Sequence, residues 1–269
     1  MVKKLLKQEF TYYLRSLTPV YIILLGISIL GRITHFFESD SWIYEIVGNA
    51  SVAVYAVSVL ATLGFATAFI IIRFYKNMFT GEGYLTLTLP VSYEQHLMTK
   101  LIAAMLVSFT SLITVLISCA VFLGSEWMVE IYKAAAYLVQ HAIEKVGGNF
   151  GLYVVEFLIL LIVGTAAEIL NYYMCISLGQ TFKKRRILAA IGIYYGLSLV
   201  VQIGTIIFST MINLAWENID IDVIEKWLSA NYIGLIHGVM ITGIIMSILL
   251  ACMMFLISRF VLKKKLNLE

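Results

Sequence analysis

The sequence predicts an all-α integral membrane protein: six transmembrane helices, an N-terminal interfacial amphipathic helix, and both termini on the cytoplasmic side. Three observations lead there. Of 269 residues, 61% are hydrophobic and only 13% charged, against about 25% charged in a soluble globular domain. Such a chain cannot cover a water-facing surface. The charges bracket long uncharged stretches instead of being scattered. Finally, lysine and arginine alternate from loop to loop in a way that assigns each loop a side.

A helix needs about 20 apolar residues to cross a bilayer, and backbone in lipid must pair internally, so the spans are helices. The uncharged stretches are 16–31, 46–72, 101–125, 187–216 and 227–258, with 157–182 interrupted only by Glu168. They define spans at 17–37, 46–72, 99–124, 151–182, 187–213 and 230–258. The first is short, but Arg32 can snorkel and Ile33 to Phe37 extend it. No small-x-small cleavage site follows the first apolar run, so it reads as a retained span and not as a secretory signal.

Orientation follows from the basic residues. With six spans, 15 of the 19 Lys and Arg residues fall on one side, the cytoplasm. Glu38, Asp40, Glu45, Glu126, Glu130, Glu144, Glu217, Asp220, Asp222 and Glu225 fall on the other. A missed span would scramble this alternation downstream.

Between the spans lie four structured segments. In 1–17, Leu5, Leu6, Phe10, Tyr13, Leu14 and Leu17 share one helical face while Lys3, Lys4, Lys7 and Arg15 fall elsewhere, the pattern of a helix lying on the membrane surface. Outside, 126–146 carries the stripe Trp127, Ile131, Ala134, Leu138, Ala142 and ends at Gly147-Gly148. A shorter stripe, Trp216, Ile219, Val223 and Trp227, marks 214–229. The fourth segment is the cytoplasmic loop 73–100. Gly81 and Gly83 turn the chain there, Pro90 stops a short alternating run, and Ser92 with Gln95 forms a capping box that starts a helix near Tyr93. This loop is either an ordinary connector or a docking surface for a soluble partner.

Chemistry-bearing residues are few. Glu168 stands near the middle of span four, where a charge costs about 2.5–3.5 kcal/mol on insertion scales, so it is expected to face the bundle interior near Thr165, Asn171, Tyr172 and Cys175. It is either a polar point on a substrate path or a hydrogen-bonding group between helices. Asn171 and Gln202 are weaker candidates for the same path, and Asn213 weaker still. His35, His96, His141 and His237 read as isolated, and none has a carboxylate at ligand spacing. Cys119, Cys175 and Cys252 lie far apart in apolar runs without metal or disulfide spacing. Lys183 to Arg186 reads as a topology anchor at the anionic leaflet. No paired carboxylates, HExxH or GxSxG motif occurs, so no enzyme activity is expected of this chain, and no nucleic-acid partner.

Three regions carry a family likeness. The loop FYKNMFTGEGYLTLTLPVSYEQHLMTKLI resembles the cytoplasmic loop of bacterial type 2 ABC export permeases. The opening VKKLLKQEFTYYLRSLTPVY resembles their short basic helix before the first span, and NYYMCISLGQTFKKRRILAAIG resembles the stretch around their second inner loop. The resemblance implies a plasma-membrane half-transporter of six helices that pairs with a second permease subunit, identical or sibling, among membrane lipids. It also implies a separate ABC ATP-binding subunit holding the ATP and magnesium, because no GxxxxGK[ST] occurs in this chain. By the same resemblance Phe79, Gly81, Glu82, Gly83, Tyr84, Leu85 and Pro90 form the element coupled to the ATPase, with Glu82 pairing with a basic group on it. The competing expectation is an ion-coupled secondary transporter or channel centred on Glu168; it calls for inverted repeats and several intramembrane charges, and the sequence displays neither.

Overall fold

The computed structural model describes residues 2–36, 42–81, 83, 91–216 and 221–264, the stretch 221–230 by its backbone alone. These residues are helical almost throughout, with no strand among them. The elements are α1 (Val2–Phe36), α2 (Trp42–Phe79), α3 (Tyr93–Val146), a 3-10 turn (Gly147–Asn149), α4 (Phe150–Gly179), α5 (Arg186–Trp216) and α6 (Ile221–Lys264). Among the described residues five helical runs are long and apolar enough to cross a membrane: Lys3–Thr34, Trp42–Phe79, Tyr93–Gly179, Arg186–Met211 and Ile233–Lys263. The third holds 87 residues, about 130 Å of helix if straight, and it is broken twice by glycine.

The chain divides into two compact units, Met1–Lys145 and Val146–Glu269. In the first, α1, α2 and α3 alternate in direction. Glu9 meets Arg73 and Asn77 at one end of α1, and Leu24 meets Tyr55 further along, so α1 and α2 are antiparallel. Tyr21 meets Ser111 at 2.7 Å and Arg32 donates to the Leu123 carbonyl, so α1 and α3 are parallel. The core is Leu24, Tyr55 and Phe122, flanked by Ile27, Val59, Val115 and Leu123. The Tyr55 and Phe122 rings stack at 4.2 Å and 8°, and the buried Tyr55 hydroxyl pairs with Ser118 at 3.0 Å. Gly31 lies under the Phe122 ring, where a Cβ would collide.

The first break in the long run is Gly124, at φ 74° and ψ −180°. That region is essentially closed to residues with a Cβ. A side chain there would also run into the Arg32 guanidinium, which occupies the kink and donates to the Leu123 carbonyl beside it. The second is Gly147, in the left-handed region at φ 62°, where the predicted Gly147-Gly148 break falls. Between the two, 125–146 is helical and almost wholly exposed.

In the second unit α4 packs against both α5 and α6. Tyr153 reaches Ile233 and Leu160 reaches Gly243, so α4 and α6 run parallel. Tyr172 meets Tyr194 and Gly179 abuts the Ala190 backbone, so α4 and α5 form an antiparallel hairpin. The turn between them carries the exposed run Lys183 to Arg185. Ile169, Tyr173 and Ile176 make the buried stripe of α4. None of the described side chains of α5 is buried, a surface that only lipid or further protein can cover.

Two boundaries differ from the sequence reading. No break separates a surface helix at 1–17 from a first span: α1 is one helix with Pro19 inside it. The reason is visible in its buried stripe, since Tyr13, Leu17, Leu24 and Ser28 continue one face through the whole helix. Likewise 221–229, expected in a separate external segment, is the first part of α6.

Candidate functional site

The most elaborate polar construction in the molecule lies where α1, α2 and α3 come together beside the 73–100 loop. Each helix contributes two residues one turn apart: Glu9 and Tyr13, Arg73 and Asn77, His96 and Lys100. Glu9 is the centre, and only 8% of it is exposed. Its Oε1 accepts from Lys100 Nζ at 2.8 Å and from Asn77 Nδ2 at 2.7 Å, and its Oε2 accepts from Arg73 Nε at 3.0 Å. The Arg73 guanidinium lies 3.8 Å over the Tyr12 ring. Lys100 and His96 are each 3% exposed, and Phe74, Met78 and Leu97 close the cluster from the apolar side.

Glu9 and His96 precede the uncharged stretches 16–31 and 101–125, so both stand on the flank of the apolar segments. Burial pushes the Glu9 carboxyl up, but Lys100 and Arg73 outweigh it and hold the group below its ordinary value. Burial pushes the His96 imidazole down, and the Lys100 charge adds to this. The His96 Nε2 has no hydrogen-bond partner among the described residues. A carboxylate with two cations and an amide is fully used, and it locks three helices whose contacts are 64 to 91 residues apart in sequence. Breaking one member of such a buried set costs about 3–5 kcal/mol because a charge is left uncompensated.

The loop leaves this cluster directly. Phe79 ends α2, with its ring 6.0 Å from Phe74 and edge-on to it. Gly83 is buried, its N–H bonded to the Thr80 carbonyl at 2.7 Å. A Cβ at Gly83 would come within 2.9 Å of the Met78 backbone, whereas one at Gly81 would meet nothing. So Gly83 is where the loop folds back on α2. On the other side Ser92 and Gln95 exchange reciprocal 3.3 Å bonds, the capping box foreseen in the sequence, and α3 begins at Tyr93. Glu82, Tyr84, Leu85 and Pro90 lie outside the described residues.

The intramembrane candidates separate. Glu168 does not face a bundle interior: it is exposed, and its Oε1 accepts the Tyr172 hydroxyl at 2.7 Å one turn along the same helix. Asn171 is instead the acceptor of the Cys175 thiol at 3.6 Å. Gln202 is exposed on α5. The Asn213 and His35 side chains lie outside the described residues.

Two histidines read as isolated have carboxylate partners. His141 comes within 3.9 Å of Glu144 on an exposed surface. His237 on α6 holds Glu156 on α4, its Nδ1 at 2.9 Å from both carboxylate oxygens. The Tyr153 ring stacks on this imidazole at 4.1 Å, and its hydroxyl donates to the Ile233 carbonyl at 2.7 Å. Neither Glu9 nor Glu156 stood out in the sequence. The one available signal for Glu9 was that it is acidic in an otherwise basic N-terminal segment and shares the face of Tyr13 and Leu17.

Among the described residues no three His, Cys, Asp or Glu side chains gather as a metal site, and the three cysteines are free. No family model matches the chain, and neither a curated protein nor a solved structure matches it.

Proposed function

We propose that this chain is the membrane-spanning permease subunit of an ATP-driven ABC exporter, paired with a second permease subunit and driven by a separate ATP-binding subunit that docks on the 73–100 loop. In this reading the 87-residue run Tyr93–Gly179 contributes two spans, giving six, with both termini and the loop in the bacterial cytoplasm. The distribution of lysine and arginine supports that orientation.

One observation carries the reading. A permease without a nucleotide site must receive force through a rigid contact. Both roots of the loop, Arg73 with Asn77 and Lys100, are tied to one buried carboxylate on α1. A push on the loop therefore moves three helices together. Phe79, Gly81, Glu82, Gly83, Tyr84, Leu85 and Pro90 form the docking element on this reading, and Gly83 seats it against α2.

The test is purification of the tagged chain in mild detergent from its native host. A stoichiometric P-loop ATPase is the expected companion, and Glu82→Ala with Tyr84→Ala should lose it while membrane insertion stays intact. Recovery of the chain without any ATPase, under conditions that preserve other transporter complexes, overturns the reading and favours an ion-coupled carrier centred on the exposed Glu168.

A further inference from the structure

A carboxylate in the middle of an apolar helix is normally hidden among other helices. Glu168 is not: it lies on an exposed face of α4, and Tyr172 is its partner among the described residues. Facing lipid, that charge is expensive. The face must therefore meet something that answers a negative charge.

The surroundings narrow what that is. The Tyr172 hydroxyl donates to one carboxylate oxygen, Oε1. The Tyr194 ring of α5 stands 5.6 Å from the Tyr172 ring, inclined at 33°. Two aromatic faces and a carboxylate thus meet at the α4–α5 groove, the combination that attracts a cation whose surroundings are apolar. Space exists beside it: Gly164 sits one turn from Glu168 on the same face, and a Cβ there would meet nothing within 4 Å. Along α5, Ser198 and Gln202 follow Tyr194 at one-turn intervals on its exposed face, continuing a polar track through the apolar stretch.

We infer that Glu168, Tyr172 and Tyr194 form a binding point for a lipophilic organic cation, a positively charged group carried on an apolar body. The inference deepens the transport reading by naming a substrate class. The carboxylate supplies the counter-charge, the two rings supply cation–π contact, and the open surface at Gly164 takes the apolar body. An anion of the same size is repelled.

The test is equilibrium dialysis of the purified full chain in detergent with tetraphenylphosphonium, compared with tetraphenylborate, a body of the same shape and opposite charge. The expected result is saturable binding of the phosphonium and none of the borate. Glu168→Gln should weaken it roughly tenfold or more, and Tyr194→Leu several-fold. A second measurement needs no variant. Saturating phosphonium should slow carbodiimide labelling of Glu168 in the wild-type chain, read by mass spectrometry, and leave Glu156 labelling unchanged. Absence of saturable binding, equal binding by Glu168→Gln, equal binding of the borate, or no protection each overturns the proposal. So does quantitative self-disulfide formation by Glu168→Cys in native membranes, which would show a second copy filling the face. None of these readouts requires an ATPase. Phosphonium binding without a companion ATPase keeps this site and removes the exporter reading, and the reverse pair of results does the opposite.

Discussion

Each of the two units fastens its helices with a carboxylate, and the fastenings differ in their counter-charges. In Met1–Lys145, Glu9 is gripped by Lys100, Arg73 and Asn77 from two other helices; Glu9, Lys100 and Asn77 are buried and the Arg73 side chain is 12% exposed. In Val146–Glu269, Glu156 is held by the single imidazole of His237, with side chains 17% and 21% exposed. The first arrangement cannot lose a member without stranding a charge in an apolar setting. The second can, because both groups are only partly buried and each has a single partner in the pair. A mechanical junction calls for the first kind, and a helix pair that slides or separates tolerates the second.

The largest test of that contrast is removal of each carboxylate. Glu9→Ala leaves Lys100 and Arg73 facing each other, and the expected loss is about 3–5 kcal/mol. Glu156→Ala leaves one partly exposed imidazole without this partner, and the expected loss is about 1–2 kcal/mol. Hydrogen exchange read by mass spectrometry follows the two units separately, which a single melting curve of a two-unit chain does not. Glu9→Ala should release amides of α1, α2 and α3 together. Equal effects of the two variants would remove the distinction. Replacing the whole set, Glu9→Leu with Arg73→Met and Lys100→Met, should recover much of the loss, because buried ion clusters are often replaceable by apolar groups of similar volume.

A second, smaller contrast is in the backbone. Gly124 has φ 74° and ψ −180° and is crowded by Arg32, while Gly147 has φ 62° with open space around it. Gly124→Ala should cost at least the 1–3 kcal/mol of a forced backbone outlier. Gly147→Ala pays for the left-handed conformation alone, about 1 kcal/mol. Comparable costs would mean that the Arg32 contact contributes nothing to the kink.

These cases also mark what the sequence could and could not reveal. The long apolar helical runs, the break at Gly147-Gly148 and the capping box at Ser92 and Gln95 are local events, written in adjacent residues. The Gly124 kink is local as well, but a glycine in an apolar run carries no mark that distinguishes it from Gly164 or Gly243. The continuity of α1 was hidden because the amphipathic pattern of 1–17 and the apolar pattern after it look like two elements; only the shared buried stripe through Tyr13, Leu17 and Leu24 joins them. Glu9 with Lys100, 91 residues apart, and Glu156 with His237, 81 apart, are products of helix pairing. Lys100 and Arg73 were legible as charges flanking apolar stretches, and their pairing with Glu9 was not, since flanking charges and pairing charges are the same residue types.

Within the second unit, a double-mutant cycle isolates the weaker fastening. Glu156→Gln and His237→Gln, singly and together, should give a coupling of about 1–2 kcal/mol in the exchange of α4 and α6 amides. Tyr153→Leu, which removes the stacked ring and the bond to the Ile233 carbonyl, should lower that coupling, because the imidazole is then free to turn. Coupling that survives unchanged would mean Glu156 alone orients His237.

The smallest expected effect is a dependence on pH, and it separates two members of the same cluster. Glu9 is held below its ordinary value of 4.5 in the fold. Its contribution is fully present above that value and is lost only as pH falls through the lower, folded value. His96 is also lowered from its ordinary 6.5, but for a base the consequence lies elsewhere on the scale. Above 6.5 the imidazole is neutral in both states and has no effect on stability. As pH falls below 6.5 the unfolded chain takes up the proton first, and the fold is progressively disfavoured down to the folded value. Burial and the Lys100 charge oppose a further positive charge there and outweigh the Glu9 carboxylate, which favours it. An acid titration followed by exchange of α1 and α3 amides should therefore show an early loosening that begins near pH 6.5 and a later collapse below 4.5. His96→Asn should erase the early step and leave the late one. Glu9→Gln should erase the late one. An early step that persists in His96→Asn would mean that His96 is not its source, and the cluster beside the loop would then be insensitive to protons until the late step is reached.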